Sequence, residues 1–458
     1  MKTIRLGAAT GWSRDKFDAA EDLVEHGNIH YLCFDSMSEI TMSAAQVSKI
    51  EKPNLPGYDP YLESRMTPIL KSCHEKGIKI ITNSGWLDPV GAAQKVAEIA
   101  KKMGLHNLKV AAVSGGILTE TIADMGLDFM EHGEPISSCR DKIVSAEVYL
   151  GAKGIVEALE AGADIVITTR VGDGCVYLGP LAYEFKWDFS DYDAIAKGMI
   201  IGHLMECGAQ VSGGYFADPG YKDVPNLHDV GNPIAEVTED QIFITKNPHK
   251  GGVVSTETCK EQLLYEIQDP SHYYLPDVVA DLTKVAFKQV EKNRVEVIID
   301  DGAGLPETDT YKALIGLKEG YMAEEMAVFA GPGAMERAEL TKTILNESFK
   351  KLNLNASEIR MDYLGLNAIH RESSPASGHI PYEVILRVAI KTETKDEAEK
   401  LRIAIDPLAV NGPAGTGKWG SIGGSRVRPI IGLNSALVPK KDVPYEVTII
   451  DLKSTITQ

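Results

Sequence analysis

His203, Glu206 and Cys207 make the densest chemical grouping in the chain, inside the run GHLMECGAQVSGGY at 202–215. If this run is helical, offsets of three and four residues bring the imidazole, carboxyl and thiol to one face. Within one turn such groups can move protons or attack a carbonyl. His-x-x-Glu-Cys is not a zinc-site spacing, so the metal requirement stays unknown. The plainer alternative is a buried helix ending at a glycine-rich turn, with Cys207 as a small core residue.

A second grouping, TRVGDG at 169–174, follows the β-branched run 164–169. There Arg170 and Asp173 can clamp and polarise a carboxylate or carbonyl, unless they form only a salt-bridged turn. Asn83 and Ser84, in TNSG at 82–85, are further candidates for contacting substrate. A third run, NGPAGTGKW at 411–419, nearly spells a phosphate-binding loop. It fails because Trp419 stands where a Ser or Thr would hold magnesium, and no helix is expected after it. Lys418, Arg426 and Arg428 nevertheless concentrate positive charge among glycines. That suits a substrate carboxylate or phosphate, with an interface loop as the alternative. No Gly-x-Gly-x-x-Gly follows the first strand and no Gly-x-Ser-x-Gly elbow exists, so no nucleotide-hydrolysis or dinucleotide motif is found and any cofactor is unknown.

These groups need elements to hold them. Short apolar runs at 4–9, 31–34, 79–82, 108–113 and 164–169 alternate with amphipathic stretches of helical period. That order predicts βαβ units around a mostly parallel sheet, whose strand ends carry the chemistry. Asp35-Ser36, Asn83-Ser84, Ser114-Gly115-Gly116 and Arg170–Asp173 all fall at such ends and are expected to converge on one cleft. After about residue 225 the pattern changes: runs at 234–237 and 241–245 predict a hairpin, set in an insertion around 226–256. From 305 onward a β-α-β, β-α-β order predicts a smaller ferredoxin-like α+β domain, ending in a strand at 445–452. The expected domains are therefore 1–304 and 305–458.

With 47 basic and 65 acidic residues among 458, the chain carries a net charge of −18. Nucleic acid and anionic membrane surfaces both need a basic footprint, so neither is an expected partner. A small anionic substrate is expected instead, met by a local positive site. No run approaches the roughly 18 apolar residues of a membrane span, and no leader pattern opens the chain. Six scattered cysteines form neither a zinc pattern nor a disulfide framework. The expected setting is cytoplasmic, as a homo-oligomer.

Tyr149-Leu150-Gly151, AGADIVITTR at 161–170 and the block 202–215 together resemble the acyclic terpene utilisation protein A (AtuA) family. Supporting runs are EITM at 39–42, TNSG at 82–85, LLYEI at 263–267 and Asp269-Pro270. The resemblance covers about residues 3–350; the C-terminal part departs from the commonest terpene-pathway members, whose tail carries Ser-Gly-Asp-Lys-Gly. It implies a metabolic role around branched or unsaturated acids and supplies no catalytic residues. The sequence is therefore read as an enzyme of hydratase/lyase or isomerase type acting on a small branched or unsaturated acid or its CoA thioester. In it Glu206 or His203 moves the proton, with Asp173 and Cys207 as further catalytic candidates. The alternatives are a non-catalytic ligand-binding subunit and a Cys207-dependent hydrolase or acyl transferase.

Overall fold

A computed structural model describes residues 2–52, 54–374, 381–419 and 427–453. The chain divides into two compact units: one runs from Met1 to Ile315 and includes the chain from Asn434 onward, and the other is Gly316–Leu433.

The first unit opens with β1 (Ile4–Thr10), α1 (Asp18–His26), β2 (Tyr31–Phe34), α2 (Glu39–Glu51), α3 (Leu62–Lys76) and β3 (Lys79–Thr82). It continues through α4 (Pro89–Lys102), β4 (Lys109–Gly115), β5 (Ile143–Val148), α5 (Lys153–Glu160) and β6 (Ile165–Thr168). All four residues of β2 and of β6 are buried, as expected of strands covered on both faces. The helices between follow from amphipathic runs with good ends: α4 has Pro89 in its first turn, and Asp88 accepts the Gly91 N–H at 2.8 Å. Strands β1, β2, β3, β6 and β4 lie side by side in that order, all parallel. Their carboxyl ends therefore share one edge.

Two long helices follow, α6 (Cys175–Phe185) and α7 (Tyr192–Met205), then β7 (Pro233–Val237), β8 (Ile242–Lys246) and α8 (Thr256–Leu264). Nine of the fourteen residues of α7 are aliphatic, glycine or methionine between Ile195 and Met205, and all of these are buried. Gly202 lets it lie directly on the chain below, since a Cβ there would come within 2.5 Å of the Gly174 Cα.

The expectation of a mostly parallel sheet is corrected: the ten-stranded sheet is mixed. The 234–245 hairpin extends the sheet, with β7 antiparallel to β1. Two-residue strands β9 (Tyr273–Tyr274) and β10 (Val279–Ala280) precede β11 (Val285–Glu291) and β12 (Arg294–Ile299), which continue that edge, β12 antiparallel to β8 and β11 antiparallel to β12. Period-two alternation marks a strand but not its partner, which is why the sequence showed the hairpin without its place. Next come β13 (Gly304–Leu305) and β14 (Thr310–Ala330).

The second unit has α9 (Ala334–Lys351), β15 (Glu358–Tyr363), β16 (Glu383–Thr392), α10 (Lys395–Ile405), the short α11 (Leu408–Asn411) and β17 (Gly417–Trp419). Its strand order is β15-β16-β14-β17, every pair antiparallel. Ala338, Leu345 and Phe349 of α9 and Leu401 of α10 pack on Leu386 and Val388 as a separate core. After β18 (Arg428–Pro439), the last strand, β19 (Tyr445–Asp451), pairs antiparallel with β4 in the large sheet. The sequence had placed it at the end of the second domain.

Candidate functional site

The chemistry collects at the carboxyl edge of the parallel strands. One residue past β2, Asp35 is 6% exposed, and its Oδ1 accepts from Asn83 Nδ2 at 2.7 Å. Asn83, one residue past β3, accepts the Ser36 N–H at 2.7 Å through its own Oδ1. Ser84 closes the knot, with its Oγ 2.7 Å from both Ser36 Oγ and Thr82 Oγ1. Short turns at adjacent parallel strand ends make this interlock, and it fixes the direction of the Asp35 carboxyl.

Arg170, two residues past β6, is 2% exposed. Its Nη1 donates to the Met37 carbonyl and lies 2.7 Å from Asp173 Oδ1. Nη2 is 3.7 Å from Glu39 Oε1, and the guanidinium sits 4.4 Å from the Tyr149 ring centroid. Tyr149 Oη donates to the same Glu39 oxygen at 2.5 Å. Both Nε and Nη2 of Arg170 are buried with no hydrogen-bond partner among the described residues. A buried guanidinium with two idle donors is built to receive an anion or a carbonyl oxygen.

Helix α7 brings the third wall. Glu206, just past its end, is 8% exposed and takes a 2.8 Å bond from His203 Nδ1, while His203 Nε2 faces the Leu263 carbonyl at 3.1 Å. Burial alone would depress the imidazole; Glu206 and the Leu263 carbonyl outweigh it and hold His203 above its ordinary pKa. A carbonyl can only accept, so Nε2 carries a proton there, and the raised pKa favours a second proton on Nδ1, toward Glu206. The turn that follows packs backbone on backbone against the end of β1: a Cβ on Gly11 would meet the Cys207 carbonyl carbon at 2.5 Å.

Burial pushes the Asp35 carboxyl up to about 7, against the pull of Arg170 and Asn83 and with the push of Glu206. Asp173 rises well above the ordinary range for the same reason, with Asp35, Glu206 and Glu39 adding to burial and Arg170 opposing it. Burial would raise Glu39 as well, but Arg170 and the Tyr149 hydroxyl prevail and hold it below. One guanidinium cannot neutralise this many buried carboxylates, so the group retains a proton near neutrality.

Beside the knot opens a cavity of about 680 Å³. Trp12, Ile40, Tyr58 and Trp86 are among its walls, with Asp59 inside. Trp86 hands its Nε1–H to the Ser36 carbonyl at 3.3 Å, joining cavity and knot. Its backbone is left-handed at φ 45°, a strained state for a bulky residue. No group of three or more His, Cys, Asp or Glu among the described residues has the geometry to hold a metal.

The sequence profile described as acyclic terpene utilisation family protein AtuA matches residues 4–449. The chain belongs to the AtuA family. No curated protein and no solved structure matches it. The match continues through the C-terminal part, to residue 449.

In this AtuA-family chain the structure brings Arg170, Asp173, Asn83, Ser84, His203 and Glu206 into one region. Asn83 and Ser84 are buried and direct their hydrogen bonds inward, toward Asp35 and Ser36. Cys207 is adjacent, but burial and Glu206 push its thiol far above the range of a nucleophile. Lys418 lies by its backbone on β17, so a strand, not a helix, contains that lysine. Arg428, exposed, begins β18, and Arg426 lies outside the described residues. Sequence reasoning passed over Asp35, Glu39 and Tyr149 as functional groups. Their position at or beside strand ends was legible; their burial around Arg170 was not.

Proposed function

We propose that this protein is a metabolic enzyme that moves a proton on a small branched or unsaturated organic acid or its CoA thioester, by hydratase, lyase or isomerase chemistry. The observation that carries the reading is Arg170, buried with two idle donors, beside carboxyls of opposed tendency. Arg170 would hold the carboxylate or thioester carbonyl and stabilise negative charge that develops there. Asp35, titrating near neutrality, suits a base; Asp173, raised by burial, suits an acid. Glu206, fixed by His203, completes the field that keeps them apart. The cavity takes the hydrocarbon part, and its volume lies within the range of ligand pockets. We read the second unit as ferredoxin-like from its strand order, and the protein as a cytoplasmic homo-oligomer; the acid–base reading depends on neither.

The test is solvent deuterium exchange. Branched and unsaturated short-chain acids and their CoA thioesters, incubated with the protein in D2O, are expected to gain deuterium next to the carbonyl. Absence of exchange from every compound that binds would favour the non-catalytic ligand-binding subunit.

A further inference from the structure

Asp59 is a buried acid that the chemistry above does not use. It is wholly inaccessible, and its Oδ1 accepts the Tyr61 N–H at 2.9 Å and the Ser13 hydroxyl at 3.1 Å. Its Oδ2 is buried with no hydrogen-bond partner. The nearby Ser36 hydroxyl has one proton for three acceptors, Asn83 Oδ1 at 3.2 Å, Ser84 Oγ at 2.7 Å and the Asp59 carboxyl, so it alone does not satisfy the acid. The backbone holds the acid in place, since the Asp59 N–H donates to the Ser84 carbonyl at 2.9 Å. Arg65, whose charge acts on Asp59, directs its Nη2 to the Ser13 and Asp15 carbonyls instead. A buried, idle carboxylate oxygen at a cavity wall is costly unless a ligand donor meets it.

We propose that the cavity selects a ligand whose apolar body carries a hydroxyl, which donates to Asp59 Oδ2. The cavity's lining fits that class. Trp12, Ile40, Leu55, Tyr58 and Trp86 suit hydrocarbon. An ammonium is disfavoured because Arg14, Lys49 and Lys95 also line the cavity, against one rim acid, Glu63, which Lys95 already pairs at 2.7 Å. A ligand carboxylate is disfavoured by repulsion from Asp59 itself. The inference rests on the proposed function only in taking the cavity as ligand-bearing, and it names the substrate class of that site as a hydroxylated chain.

The experiment uses neutral probes and reads binding alone, so it stands apart from turnover and from Arg170. A medium-chain secondary alcohol and the matching ketone are titrated into the full-length protein and followed calorimetrically. Wild type is expected to bind the alcohol about tenfold more tightly, the ketone having no proton to give. Asp59→Asn keeps the acceptor for Ser13 and Tyr61 and presents an amide N–H at the Oδ2 position, so the preference should reverse toward the ketone. Ala44→Trp, at another wall residue, should abolish binding of both probes and leave the Asp59 surroundings intact. Equal wild-type affinities, no binding of either probe, equal weakening of both by Asp59→Asn, or undiminished binding to Ala44→Trp would each overturn the proposal.

Discussion

At the scale of the residue, the useful property of Asp35 is a pKa displaced into the working range by burial. The ordinary carboxyl would be ionised throughout neutral pH; here burial brings the midpoint to about 7. If Asp35 is the base, only its ionised form works, and that form grows as pH rises through the midpoint. The quantity kcat/KM should therefore climb about tenfold per pH unit below about 7 and level off above it. Asp35→Asn should remove this limb and lower kcat by at least about 100-fold with little change in ligand affinity. A profile that stays flat from pH 5 to 8 in wild type would assign the base to another group. Cys207 offers a contrast at the same scale, because the same burial that makes an acid useful makes a thiol inert.

Elements decide which of these residues meet. Helix α7 carries His203 and leads into Glu206, and its approach depends on the absence of a side chain at Gly202. Gly202→Ala would force its Cβ against the backbone at Gly174, one residue beyond Asp173. Overpacking of this kind costs about 1–3 kcal/mol, and it should also shift the Glu206 wall relative to Asp173. Thermal melting is expected to show the destabilisation and kinetics a fall in kcat/KM beyond it. Full activity with an unchanged melting temperature would show that the contact relaxes freely. The parallel strands act in the same way: β2, β3 and β6 place Asp35, Asn83 and Arg170 at one edge because parallel neighbours end together.

For the whole molecule, the existence of two cores has a thermodynamic consequence. Phe349, 4% exposed, belongs to the second unit's core, while the strand-end cluster belongs wholly to the first. Units with separate cores can unfold in separate steps. Phe349→Ala should destabilise one transition by about 3–5 kcal/mol, leaving the other and the affinity for the alcohol probe near their wild-type values. A single transition moved as a whole, seen by scanning calorimetry, would show that the units melt as one. No helix among the described residues is long and apolar enough to cross a membrane.

The sequence by itself determined what depends on neighbours along the chain. Apolar runs at 31–34, 79–82 and 164–169 announced parallel strands, the 234–245 alternation announced a hairpin, and the motifs at 161–170 and 202–215 carried the family. Arg170 with Asp173, and His203 with Glu206, were visible because each pair lies within one turn. The strand order was not visible, since a hydrophobic pattern specifies a buried face and leaves the lateral partner open; β7 and β19 thus turned a parallel sheet into a mixed one. Nor was the protonation of the site. The segment holding Asp35 and Glu39, Arg170 and Glu206 are far apart in sequence, and the free energy of an ionised carboxyl depends on which charges and how little water surround it. Burial and Coulomb energy are properties of distances in space, so only the tertiary structure could turn an ordinary Asp35 into a group poised near neutrality and leave Asp59 Oδ2 waiting for a donor.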